Sequence, residues 1–439
     1  MIAPLHAKPG PAAQLWITGA RVLDPGEGID ATLDVVVENG LIARIEPSGS
    51  SRATNGHRVV EAAGLVLAPA FVDPHVHLRT PGREDEETIA SGTAAAAAGG
   101  YCAILAMPNT DPVVDSAAVL GALVELAREE AVIPTGFMAA ISKGQAGHEL
   151  TEMAELADAG AAGFTDDGRP VVAAGLLRRA LQYGAVAGRP LALHCEEPTL
   201  SRDGQMHEGA VSAELGFTGY PSVAESVMVG RDLALAAYED RSVHLMHLSA
   251  RESVDLLRGA KAAGLRASGE VTPHHLCLTD EAVRSLDSNV KMNPPLRAEE
   301  DRQALLAALR DGTIAAIATD HAPHARHEKE APFEAAPFGV TGLETAFAVL
   351  YTRLVETGVL PLELVLERMS AGPARALGLP VPRIGTGEPA NLVLLDLGAA
   401  WQVQENGFRS RSVNSWLLGE TLHGAVRLTV AGGQVAFEA

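Results

Sequence analysis

From Leu65 onward, short apolar runs alternate with longer stretches in which apolar residues recur at three and four spacing. That alternation of period marks successive strand and helix units. Eight runs fit: Leu65–His77, Tyr101–Met107, Val132–Ile141, Gly160–Asp167, Pro190–Glu196, Ser242–Ser249, Leu265–His274 and Ile314–His321. Helical patterns fall between them at Ser116–Glu129, Gly175–Ala187, Val223–Tyr238 and Glu300–Arg310. Eight strands, each followed by a helix, predict an α/β fold of the (β/α)8 barrel type.

The two ends follow a different rhythm. Leu15–Ile45 places β-rich runs around the turn pairs Pro25-Gly26 and Asn39-Gly40, and Asn391–Leu397 with Leu422–Phe437 repeat that character around Gly432-Gly433. They predict a small β-rich domain built from both termini, residues 1–64 and 383–439, flanking a barrel at 65–382.

With 439 residues, 47% of them apolar and 20% charged, the chain has the material for such a core and does not have a disordered composition. Its formal charge of −21 repels phosphate backbones and anionic lipid surfaces, so neither nucleic acid nor membrane is expected as a partner. Cys102, Cys195 and Cys277 are odd in number and widely spaced, which excludes a disulfide framework or a CxxC metal knuckle and predicts a cytoplasmic chain. The opening segment MIAPLHAKPGPAAQLW has no basic stretch followed by an apolar one and is not expected to act as a secretory signal. The longest apolar run, Ala94–Pro108, is split by Gly99-Gly100 and is shorter than the ~20 residues needed to span a bilayer.

The candidate chemistry lies where the apolar runs end. In a parallel barrel the C-terminal strand ends form the active-site face. The first run ends in His75-Val76-His77, whose period-two spacing puts both imidazoles on one side. The fourth ends in Asp166-Asp167, the fifth carries His194, the sixth His247, and the eighth ends in Asp320. Taken singly, His194 or His247 reads more naturally as a hydrogen-bonded core residue. Five strand ends of one barrel converge on one small volume, however, and imidazole with carboxylate there suits Zn²⁺ or a similar divalent ion. By parity His244 and His321 face away from that volume, and His274-His275 is better read as structural. His6, His57, His148, His207 and His423 lie off the strand ends and read as ordinary surface or turn residues.

The motifs FVDPHVHLRTPG, PNTDPV, FTDDG, HCEE, HEG, VTPHHL, KMNPPLR and ATDHAPH, followed by APFGVTGLE, resemble the amidohydrolase superfamily and, within it, the type I bacterial dihydroorotases. The resemblance covers nearly the whole chain and implies a distorted (β/α)8 TIM barrel with a small β-sandwich made from both termini. HxH alone marks only the superfamily; HLR, PNT, MNPPLR and TDHAPH in this order point to the narrower group. The usual HLREPG has Thr80 in place of Glu here, at a position given no metal or substrate role.

Carried over by position, the resemblance implies that His75, His77 and Asp320 bind one zinc, that His194 and His247 bind a second, and that Asp167 bridges them. Many superfamily members bridge with a carboxylated lysine, but there is no lysine between Lys143 and Lys261. That absence favours the Asp-bridged type over hydantoinases, and Lys143 itself reads as a solvated loop residue. The implied reaction is the reversible cyclisation of N-carbamoyl-L-aspartate to L-dihydroorotate plus water in pyrimidine biosynthesis. A metal-bridging hydroxide attacks, and Asp320 shuttles the proton. Arg79, Asn109 and His324 would hold the substrate carboxylate, with His77 bordering the substrate, Asn293 reading its amide edge and the Phe338-Gly339 backbone completing the pocket. Taken alone, Arg79 could simply support a loop and Asn293 could simply form a turn. The charged segment Ala325–Pro337 follows a catalytic strand and reads as a lid.

The net charge of −21 argues against an anionic substrate only until the local charges are counted. Two divalent cations and Arg79 against Asp167 and Asp320 leave the site positive. The alternatives are another cyclic amidohydrolase, a hydantoinase or allantoinase, or a non-catalytic scaffold for aspartate transcarbamoylase. A homodimer, and a complex of the active enzyme with aspartate transcarbamoylase, are further partner expectations.

Overall fold

The computed structural model describes residues 3–50 and 56–439; Met1 and Ile2, the start of the segment read for a secretory signal, lie outside the described residues. Eight parallel strands form the barrel: β1 (Phe71–Val76), β2 (Tyr101–Ala106), β3 (Thr135–Ala139), β4 (Ala161–Phe164), β5 (Ala192–Leu193), β6 (Val243–Leu245), β7 (Ala267–Val271) and β8 (Ala316–Ile317). Their hydrogen bonds make two four-stranded arcs, β1 to β4 and β5 to β8. Each junction between the arcs is closed by a single parallel bridge, Phe164 with Leu191 and Val76 with His321. The barrel is therefore closed but distorted, and the second of these bridges runs through the active-site end.

The helices fall where the apolar period predicts: Ala117–Glu130, Ala174–Ala187, Val223–Tyr238 and Glu299–Asp311. Their buried residues, such as Leu120, Leu123, Val124 and Ala127 on the first, form the stripe that covers the barrel. Among the described residues no helix is long and apolar enough to cross a membrane.

Both termini join one eight-stranded sheet. Leu15–Asp24, Ile29–Glu38 and Leu41–Pro47 form its N-terminal part, and Leu392–Gln402, Thr421–Ala431 and Gln434–Glu438 its C-terminal part. Asn39 and Gly40, with φ of 52° and 77°, make the two-residue turn that the Asn-Gly pair predicts. The sheet encloses its own core, which includes Ile17, Val35, Val37, Leu67, Leu394 and Val430.

One expectation about the strands needs correction. Leu65–His77 is not a single barrel strand. Val66–Pro69 pairs with Leu15–Asp24 and with Leu392–Gln402 in the terminal sheet, and the barrel strand begins only at Phe71. Ala70, whose N–H donates to the Asn391 carbonyl, is the joint between them. Both halves are fully buried, so hydrophobicity carries no mark of the change of sheet.

Candidate metal centre and active site

His75, His77, Asp167, His194, His247 and Asp320 come from the ends of five strands and meet in one pocket, each at most 8% exposed. Asp167 is central. Its Oδ1 lies 3.5 Å from His75 Nε2, 3.5 Å from His194 Nδ1 and 3.7 Å from His247 Nε2, while Oδ2 lies 3.5 Å from His77 Nε2. Asp320 Oδ1 sits 3.4 Å from His75 Nε2 and 3.1 Å from His77 Nε2. His194 Nδ1 and His247 Nε2 are 2.9 Å apart. His247 and Asp320 hold φ of 32° and 49°, and Arg79 beside them 57°, a region that L-residues seldom occupy. Such backbone strain persists where surrounding structure fixes it, and it clusters at functional sites.

Each of three imidazoles is aimed by a partner behind it. His75 Nδ1 bonds Glu270 Oε1 at 2.7 Å, His77 Nδ1 bonds Asn109 Oδ1 at 2.9 Å, and His194 Nε2 bonds Glu196 Oε2 at 3.1 Å. Those bonds fix each ring's orientation and leave the opposite nitrogen facing the pocket, the arrangement that supports a metal ligand. Glu270, on β7, also accepts from the His247 backbone N–H and binds His244 Nε2. His244 thus faces away from the cluster, as its parity predicts. His321 likewise faces outward, to Glu87. Asp166 points away from its neighbour and accepts from the Ile141 and Ser142 N–H groups and the Ser142 hydroxyl.

The pocket stabilises positive charge. Burial alone would raise Asp167 and Asp320, yet the facing imidazoles, His75 foremost, hold both carboxyls below the usual range. Burial would lower His194, but Asp167 and Glu196 push it up to about 9. His75 Nε2 is buried and has no hydrogen-bond partner. An orphaned ring nitrogen among imidazoles and carboxylates fits a divalent cation of the zinc type, and the clustered donor atoms of His75, Asp167 and His247, and of His75, His77 and Asp320, lie within 4.8 Å of one another.

The residues expected at the substrate rim adjoin this cluster. Asn109 Nδ2 donates to Asp167 Oδ2 at 3.2 Å, so its amide spans His77 and Asp167. Arg79 Nε donates to the Pro323 carbonyl at 3.0 Å and lies 3.2 Å from Glu86, with Nη2 3.4 Å from His324 Nε2. His324 Nε2 donates to the Phe338 carbonyl at 2.8 Å. Asn293 Nδ2 donates to Glu196 Oε2 at 3.1 Å, and its Oδ1 is buried without a partner. The Gly339 N–H is already spent on the Lys291 carbonyl.

Sequence reasoning passed over Glu270, Glu196 and Asp73. Asp73 accepts from the Thr319 N–H and hydroxyl and so ties β1 to the segment after β8 that carries Asp320; burial pushes its carboxyl up to about 7. The available signal was a lone acid inside an apolar run, as in FVDPH and ASGEV. Of the ambiguous pair, His275 is held by Thr272 and the Pro294 carbonyl. Lys143 is paired with Glu149 at the surface.

A distorted barrel with imidazoles and carboxylates converging at its strand ends defines a metal-dependent hydrolase class. The Amidohydrolase family model matches residues 66–435, and the chain belongs to that family, in its dihydroorotase group. A dihydroorotase of Pelotomaculum thermopropionicum is 45% identical over 428 residues, covering 97% of this chain and 99% of that protein. One from Syntrophus aciditrophicus is 42% identical over 425 residues, with coverage of 97% and 99%. Among solved structures, the L-hydantoinase (dihydropyrimidinase) of Arthrobacter aurescens superposes with a TM-score of 0.86 at 24% identity, covering 97% of this chain and 96% of that one, a likeness of fold.

Proposed function

We propose that the chain is a zinc-dependent dihydroorotase that interconverts L-dihydroorotate and N-carbamoyl-L-aspartate. The observation that carries this reading is the convergence of six buried ligand-type side chains from five strand ends around the orphaned His75 Nε2. His75, His77 and Asp320 would hold one ion, His194 and His247 a second, and Asp167 would lie between them. Zinc, when bound there, lowers the pKa of water and polarises the scissile carbonyl.

The chain's own residues then do the rest. Asp320, kept ionised by His75 and His77, takes the proton of the attacking water and passes it to the ring nitrogen as the ring C–N bond breaks. In the cyclising direction the same carboxyl returns that proton as water departs. Arg79, Asn109 and His324 grip the substrate carboxylate, and Arg79's planar fork suits it. The unpartnered Asn293 Oδ1 offers an acceptor for the ring N–H, and the His77 edge and the Phe338-Gly339 backbone close the pocket.

A cytoplasmic location is supported by three cysteines that are all free. A homodimer has an apolar surface available in the exposed Tyr183, Val186 and Tyr238, on the adjoining helices Ala174–Ala187 and Val223–Tyr238. Association with aspartate transcarbamoylase is a second partner reading. The deciding assay compares dihydroorotate, carbamoyl-aspartate, hydantoin and allantoin with metal-replete protein. Turnover of the first two is expected; hydrolysis of hydantoin with dihydroorotate untouched would overturn the substrate.

A further inference from the structure

Two lysines outside the metal cluster are buried, which is rare for that side chain unless it is fully partnered. Lys291 is 2% exposed and Lys329 7%. Neither forms an ion pair among the described residues. Their amines are instead spent on backbone carbonyls. Lys291 Nζ donates to Phe333 O at 2.7 Å, Glu334 O at 3.0 Å and Ala336 O at 2.8 Å. Lys329 Nζ donates to Pro337 O at 2.9 Å and Gly339 O at 3.0 Å.

The count of donors matters. An ammonium has three N–H donors and no acceptor, so three carbonyls saturate Lys291 only in its charged form. Burial pushes that amine down to about 8, which still leaves it largely protonated near neutrality. Its charge also lies over two aromatic faces, 5.2 Å from the Phe333 ring centroid and 4.8 Å from that of Phe338. The Lys291 backbone takes part as well, since its carbonyl accepts the Gly339 N–H at 2.9 Å. Two residues further on stands Asn293.

We propose that Lys291 is a positioning residue for substrate binding: its ammonium and its carbonyl together tie the 333–339 segment, with Phe338 and Gly339, to the turn that carries Asn293. This rests on the dihydroorotase reading above, in which those residues border the substrate. The segment expected to be a lid is thereby fastened from below through its own main chain. Lys329 fastens its far end, and Asn414 Nδ2, which donates to Ala322 O and Gly339 O, locks it to the loop bearing His324. Without the ammonium, three carbonyls would be left in a dry site, and the segment would move outward to hydrate them.

Lys291→Met keeps the length and removes the donors. Steady-state turnover of dihydroorotate should then show KM raised about tenfold or more with kcat within about threefold, because binding groups and not the reacting atoms have been displaced. Bound metal per chain should equal that of the unaltered protein, and amide hydrogen exchange of residues 330–339 should become faster while β1 to β8 stay protected. KM within about twofold of the original, or a fall in kcat alone, would overturn the assignment. If Lys291→Met does not fold, Lys329→Met, which removes the two bonds at the other end, is judged by the same outcomes. If the unaltered metal-replete protein itself fails to turn over dihydroorotate, the substrate reading falls. The brace is then judged by exchange alone, and unchanged protection of 330–339 in the variant would remove it.

Discussion

The two halves of the active site are built on opposite principles. The proposed metal cluster stands at or just beyond strand ends, where barrel topology brings His75, His77, Asp167, His194, His247 and Asp320 together and one partner behind each of three imidazoles, Glu270, Asn109 or Glu196, completes the aim. The proposed substrate rim is drawn from the loops at Arg79, Asn109, Asn293, His324 and Phe338-Gly339. There the side-chain amines of Lys291 and Lys329 and the amide of Asn414 bind loop carbonyls directly. In the cluster the partners act mainly on ring nitrogens, whereas around the rim they act on main-chain carbonyls.

Substitutions on the two sides should separate these principles. The largest effect is expected inside the cluster. Asp320→Asn removes the proton carrier and should lower kcat in both directions by about 10³-fold or more, with the far-UV circular dichroism unchanged. Retained turnover would take Asp320 out of that role. Next comes the layer behind the ligands. Glu270→Gln weakens the bonds to His75 and His244 and should loosen metal by about 10–100-fold, as read by competition with a chelator, while KM for the retained active fraction stays near its original value. A rise in KM with metal affinity intact would erase the proposed division between cluster and rim.

The smallest effect is on the rim and shows in stability. Burial and the neighbouring charge of Lys291 drive the Lys329 amine from 10.5 down to about 7. Between those values the unfolded chain holds a proton that the folded chain has released, so this group makes the fold more stable as pH rises from about 7 toward 10.5. Lys329→Met should flatten that part of the profile. Urea unfolding of both proteins at pH 7.5 and pH 9.5 measures it, and equal slopes would mean that Lys329 keeps its proton when folded.

Legibility in the sequence followed the same division. The ligand-type residues stand out because they close apolar runs; parity sets the direction of His75 and His77, whereas His247 and Asp320 turn through left-handed backbone that their runs do not announce. The same parity turned His244 and His321 away from the ligand positions: His244 meets Glu270 behind His75, and His321 meets Glu87. Glu270 escaped notice because a single acid in ASGEV has no partner nearby in sequence; His75 and His244 reach it from other strands. Lys291 carries no signal of its own within KMNPPLR, since its partners lie more than forty residues away.

The sequence by itself determined the periods: eight strand and helix units, two β-rich ends, and imidazoles and carboxylates at five strand ends. It determined them because period and parity are local, set by the few residues on either side of each position. Tertiary structure decided that Val66–Pro69 joins the terminal sheet while Phe71–Val76 joins the barrel, and that single bridges close the two arcs. It also decided that Asn109 spans His77 and Asp167, and that the buried Lys291 and Lys329 donate to main-chain carbonyls of residues 333–339. Those outcomes depend on which groups are left without water and on which distant atom is near enough to satisfy them, and only the closed fold brings such atoms together.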